Sequence, residues 1–166
     1  MSGRNDWRTP LWILDRVREI DSIGLDPCTS RRNPTGAYCF YAQDNGEDGA
    51  SLPWSPTVTN CAGLVFVNPP FTGGLIQQFV AKIIEEADAG TEIVTLTPVD
   101  ATKWRRTLAE HATSRATPWK RVNYVNPDTG KTVSGVRFPS ELHYFGPRPI
   151  AFDDAFHDVA EVIRLR

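Results

Sequence analysis

Four consecutive residues, Asn68-Pro69-Pro70-Phe71, combine a side-chain amide, two rings that restrict the backbone and an aromatic face. Their types suit chemistry on a planar amine. The lone pair of an exocyclic amino group on a conjugated ring is delocalised, so the nitrogen is a poor nucleophile. Two acceptors gripping its N–H bonds draw it toward tetrahedral geometry. The Asn68 side-chain oxygen and the Pro69 carbonyl are acceptors of this kind. The paired prolines preset the geometry, and Phe71 offers a stacking surface for a flat ring.

The elements on either side say where this corner sits. Leu64-Val65-Phe66-Val67 is a short apolar run that predicts a buried central strand ending at Asn68. From Leu75 to Ala87 the apolar spacing predicts a helix that stops near Gly90. Residues 92–97 read as a further strand, and residues 101–111 as a basic helix. Upstream, residues 10–20 predict a helix with Thr9 as cap and Pro10 at its first position. Ile23-Gly24-Leu25-Asp26 predicts a strand stopped by Pro27, and residues 37–42 another, followed by a long loop over residues 43–62. Strand and helix alternate, which predicts a single α/β domain over residues 1–166 with a mostly parallel central sheet. In such sheets ligands bind outside the carboxyl ends of the strands, where Asp26 and Asn68 both fall. Asn126-Pro127-Asp128-Thr129-Gly130 lies between β-prone segments and predicts a C-terminal hairpin over residues 123–138. Residues 141–145 read as a closing strand. Ala155, Phe156, Val159, Ala160, Val162 and Ile163 outline a last helix.

Charge is unevenly distributed along a chain whose formal net charge is −2. From Met1 to Ala101 there are 7 Lys/Arg against 13 Asp/Glu, whereas from Thr102 to Arg148 there are 9 against 3. The basic segment is suited to meeting an anion. Lys103, Arg105, Arg106, Lys120, Arg121 and Lys131 are its candidate phosphate contacts, with Trp104 and Trp119 interleaved. Cys28, Cys39 and Cys61 show no CxxC pairing, so reduced thiols are expected and neither a disulfide framework nor a zinc site is suggested. His111, His143 and His157 are scattered without metal-ligand spacing, and no metal is proposed. No apolar run reaches the length of a membrane span, so the expectation is a soluble cytoplasmic protein with no membrane partner.

The motifs in sequence resemble those of the phage family of DNA N6-adenine methyltransferases. Asn68 to Phe71 is similar to the Asn-Pro-Pro-aromatic motif of amino-group methyltransferases. Trp7-Arg8-Thr9-Pro10, Leu25-Asp26-Pro27-Cys28 and Asp48-Gly49 with Trp54 match the family's other motifs in the same order. The resemblance runs from about Asp6 to Phe145. It implies a Rossmann-like methyltransferase fold, S-adenosylmethionine as cofactor and DNA as partner. It further implies that Asn68, Pro69, Pro70 and Phe71 are catalytic, and that Trp7, Thr9, Pro10, Asp26, Pro27 and Asp48 hold the cofactor. Asp44 and Glu47 compete with Asp48 for that role. The glycine-rich loop of larger methyltransferases is replaced here by Asp-Pro-Cys-Thr-Ser. If the gene is phage-borne, the compartment is the bacterial host cytoplasm and the purpose restriction protection. The hairpin over residues 123–138 is the candidate target-recognition element, and one so short is compatible with a homodimer that pools two reading surfaces. Methylation of cytosine N4 or of a protein glutamine amide uses the same corner, and a catalytically dead DNA-binding module is the alternative from another class.

Overall fold

The computed structural model describes residues 7–71, 74–133 and 138–166. Its core is one seven-stranded sheet in the order β2-β1-β3-β4-β6-β5-β7. The strands are β1 (Ile23–Thr29), β2 (Cys39–Ala42), β3 (Leu64–Val67), β4 (Ile93–Pro98), β5 (Ser114–Pro118), β6 (Ser140–Phe145) and β7 (Ala160–Arg164). The helices are α1 (Leu11–Ile20), α2 (Pro56–Thr59), α3 (Leu75–Asp88), α4 (Lys103–His111) and α5 (Pro149–Phe156). Strands β2, β1, β3 and β4 run parallel. Beyond β4 each pairing is antiparallel. The fold is therefore Rossmann-like α/β, parallel in its first half as expected.

Burial on both faces explains the uninterrupted apolar run of β3. Leu64 and Phe66 join a core with Ile13, Leu14 and Val17 of α1 and Phe152 and Phe156 of α5. Val65 and Val67 face the other way, onto Ile76, Phe79 and Ile83 of α3 and Leu108 of α4. Period-two alternation thus splits one strand between two cores. The same alternation leaves a polar stripe beneath α4, where Thr95 and Thr97 of β4 pair in register with His143 and Glu141 of β6. Arg105 descends from α4 to Glu141 with two hydrogen bonds of 2.6 and 2.9 Å. Burial pushes the His143 pKa down to about 4, so its ring is neutral at pH 7.

Several expectations are corrected. Pro27 does not stop β1, which continues to Thr29 through a register shift against β2 between Asp26 and Thr29; a bulge tolerates the missing N–H. The long loop contains a 3-10 turn at Gln43–Asn45 and the short α2. Among the described residues of 123–138 no regular strand forms. Val125 makes isolated bridges to Arg8 and Thr132, and the turn closes through Asn126 N–H to the Lys131 carbonyl. Residues 134–137 of that hairpin lie outside the described residues. β5 gave no sequence signal. The expected last helix is divided between the end of α5 and β7, because the free edge of β5 pairs with β7 from Ser114 to Pro118, and this pairing overrides local pattern. Cys39 and Cys61 are joined in a disulfide with Cα atoms 6.1 Å apart, and Cys28 is the free thiol. The two half-cystines flank β1, where Gly24 leaves room for the backbone of Cys61 and Ala62.

The Asp48-Gly49 and Trp54 motif acts as an anchor between loop and sheet. A Cβ on Gly49 would stand 1.6 Å from the Pro27 carbonyl oxygen. The buried Trp54 indole donates to the Gly49 carbonyl at 2.7 Å, and its backbone N–H donates to Glu86 Oε1 at 3.1 Å. Glu86 is held in turn by Lys82 at 2.8 Å. A Gly49→Ala variant is expected to lose more than about 2 kcal/mol of stability, because backbone would have to move against backbone. Urea denaturation checks this: an unchanged midpoint would show that the loop yields freely.

Candidate functional site

The chain leaves β1 for β2 on one side and returns to β3 on the other. Strand order therefore reverses between β1 and β3, the point where open α/β sheets hold ligands. A cleft of about 240 Å³ lies there, lined by Trp7, Thr9, Asp26, Asn68 and Pro70 among others. Asp26 comes from β1, just before its register shift against β2, and Asn68 is the residue after β3. Trp7 and Thr9 arrive on the segment before α1, which Arg8 ties to Val125 with reciprocal backbone hydrogen bonds of 2.9 and 3.0 Å.

Thr9 is not the helix cap expected from sequence. Pro10 occupies the cap position without a side-chain bond, and Thr9 faces the cleft. The Asn68 amide nitrogen donates to Thr9 Oγ1 at 3.1 Å. With the nitrogen turned toward Thr9, the side-chain oxygen is left as an acceptor. The backbone N–H of Asn68 is directed at Cys28, whose thiol is raised well above its usual range by burial and by the neighbouring Asp26 charge. Cys28 is thus a neutral wall, not a nucleophile.

Asp26 is 4% exposed and carries no ion-pair partner among the described residues. Thr35 Oγ1 donates to its Oδ2 at 2.8 Å and the Cys28 N–H to its Oδ1 at 3.1 Å. Burial outweighs these hydrogen bonds and raises its pKa from 3.8 to about 6. A buried carboxylate without a counter-ion, lining a cleft, suits a ligand that brings an ammonium or hydroxyl donor.

Other predicted residues are placed differently. Pro10 and Pro27 do not line this cleft. Pro69 is buried behind it, and among the described residues no backbone N–H donates to its carbonyl. Phe71 packs edge-on against Phe138 and Tyr124, with ring centroids 5.6 and 6.5 Å away. Trp7 lies nearly parallel to Phe138. Asp48 also stands outside the cleft: its carboxylate accepts from Ala50 N–H and Ser51 Oγ in its own turn. Asp44 lines the cleft instead, together with Ser30, Arg32 and Asp128. Thr35 was missed by sequence reasoning, although Asn33-Pro34-Thr35 is a turn signal directly after β1.

The six basic candidates all follow strands that point the same way. Lys103, Arg105 and Arg106 follow β4, while Lys120, Arg121 and Lys131 follow β5, so they leave the sheet at the edge that carries Asn68. Arg105 and Arg106 are partnered, by Glu141 and by Glu110 at 2.9 Å. Among the described residues, Lys103, Lys120 and Lys131 form no ion pair.

A Rossmann-like sheet with a polar cleft at its switch point, lined by Asn68 and Pro70 of the Asn-Pro-Pro-Phe corner, belongs to the class of α/β proteins that bind a nucleotide-like cofactor at their strand ends. More narrowly, the chain belongs to the DNA N-6-adenine-methyltransferase (Dam) family, whose model matches residues 1–147. No curated protein matches the chain. The protein is thus an adenine methyltransferase of DNA, in a family that uses S-adenosylmethionine as methyl donor.

Two outcomes follow from this geometry. Folding keeps Asp26 protonated to higher pH than the unfolded chain does, so its ionisation destabilises the native state as pH rises from 3.8 to about 6. Asp26→Asn is therefore expected to be more stable than wild type above pH 6, by on the order of 1–3 kcal/mol. That advantage should vanish near pH 4. Melting temperatures over this range check it; a constant difference would show that Asp26 does not titrate there. Arg105→Ala leaves Glu141 buried and unpaired and should cost about 3–5 kcal/mol. An unchanged urea midpoint would assign Arg105 to the surface instead.

Proposed function

We propose that the chain transfers a methyl group from S-adenosylmethionine to the N6 amino group of adenine in DNA, with Asn68 as the residue that activates the amine. The observation that carries this reading is the Asn68 amide, turned by Thr9 so that its oxygen remains an acceptor at the cleft between β1 and β3. When bound, the cofactor supplies a methyl group already activated on a sulfonium. Asp26 would accept from its ammonium or hydroxyl groups, Trp7 would pack against it, and Asp44 is better placed than Asp48 to assist. The side-chain oxygen of Asn68 and the Pro69 carbonyl accept the two N–H bonds of the target amine. Phe71, held edge-on by two rings, presents a face for stacking on an extruded base. The protein thereby supplies orientation and electrostatics, without a covalent intermediate.

We read Thr9 as the positioning residue of this arrangement, because its hydroxyl accepts from the Asn68 amide nitrogen and holds that side chain at the cleft. Lys103, Lys120 and Lys131 are the cations best placed for the DNA backbone.

Labelled S-adenosylmethionine with plasmid DNA tests the reading. Label is expected as N6-methyladenine; label only on cytosine or protein would overturn it. Asn68→Ala should lower kcat by on the order of a hundredfold or more, as loss of one positioned transition-state contact does elsewhere, while sparing cofactor affinity. Equal loss of both would make Asn68 structural. Thr9→Val should lower kcat with little change in KM, and Thr9→Ser should restore it; a Thr9→Ser variant as poor as Thr9→Val would refute the positioning role.

A further inference from the structure

A second cleft, of about 490 Å³, lies on the other side of the segment that carries Thr9. Its walls include Trp12 and Trp119, which are 37% and 65% exposed, over an apolar floor containing Pro10, Pro118 and Val159. Large exposed indoles above apolar surface form a platform for a flat ring. Lys120 and Arg121 follow Trp119 on the rim. The rim's one acidic residue, Asp158, is engaged by Arg16 at 2.7 Å. Lys120 at this rim suits a ligand that carries a phosphate as well as an aromatic ring. Asn123, also on the rim, has an amide able to donate and accept at a base edge.

The two clefts are back to back. Between them the two segments meet at Arg8 and Val125, whose backbones exchange two hydrogen bonds. Thr9 and Pro127 line the first cleft, whereas Pro10 and Val125 line the second. A nucleic-acid strand delivering a base to Asn68 would cross this ridge within a few nucleotides.

We propose that the Trp12–Trp119 cleft is a nucleobase subsite: an unstacked base of the DNA, close in sequence to the target adenine, lies against the Trp119 ring while Lys120 meets its phosphate. The proposal rests on the DNA reading above. Stacking here would help hold the strand open beside the extruded base, and it assigns the exposed indoles a role that neither cofactor binding nor the core requires.

Fluorescence-anisotropy titration with a single-stranded oligothymidylate and an abasic oligomer of equal length tests it. Wild type is expected to bind the base-bearing oligomer roughly five- to a hundredfold more tightly, the range set by aromatic stacking. Trp119→Ala should remove most of that preference and Trp119→Phe should keep it, whereas Lys120→Ala should weaken both oligomers alike. Photocrosslinking of the wild-type protein to a 5-bromodeoxyuridine oligomer gives a reading that needs no variant. Adducts on Trp12 or Trp119 support the subsite, and adducts confined to other residues overturn it. A full base preference retained by Trp119→Ala also overturns it, as does a concentration-dependent dimer that Trp119→Ala abolishes, since a second copy would then cover the cleft. If wild type methylates adenine in plasmid DNA while these results fail, the subsite falls alone; if it does not methylate, the proposed function falls whatever binds here.

Discussion

The hydrogen bond from Asn68 to Thr9 joins the two halves of the site. Asn68 stands at the end of a strand buried on both faces, so its backbone has little freedom. Thr9 stands on the segment leading into α1, which packs on the opposite layer with α5. One contact at 3.1 Å therefore couples the sheet, the entry segment and the amide that faces the cleft. A neutral hydrogen bond of this kind contributes only about 1 kcal/mol to stability, and its effect here is to hold the Asn68 side chain at the cleft. An amide presents either an acceptor or a donor, and only the acceptor serves an amine.

Around this contact the structure carries a cost that folding alone does not explain. Among the described residues Asp26 is buried without a cation, and in the polar stripe beneath α4 the hydroxyls of Thr95 and Thr97 and both ring nitrogens of His143 lack hydrogen-bond partners. A carboxylate kept out of water at a cleft suits a cationic or hydroxylated ligand, the role proposed above for Asp26.

Much of the site was legible because its chemistry is local. Asn68, both prolines and Phe71 are contiguous, and the strand before them is an unbroken apolar run, so corner and position could be read together. Asp26 was legible for the same reason, as the last residue of an apolar segment. What escaped depends on contacts between distant segments. Thr9 looked like a cap because threonine before proline and an apolar stripe is a helix signal; its real partner is 59 residues away. Thr35 holds Asp26 across a turn with no periodic pattern. Residues 160–164 could be helix or strand on local grounds, and only the free edge of β5 decided it. Cys39 and Cys61, separated by 22 residues, meet because both flank β1. Asp48 was chosen over Asp44 by motif, whereas its carboxylate closes its own turn.

The central claim is that cofactor and target adenine meet at the corner made by Asn68 and Pro69. A crystal structure with the demethylated cofactor product tests it most directly. The account predicts the product in the cleft between β1 and β3, its amino or hydroxyl groups on Asp26 and its sulfur directed toward the Asn68 side-chain oxygen. Density for the product elsewhere, or with its sulfur turned away from Asn68, would contradict it.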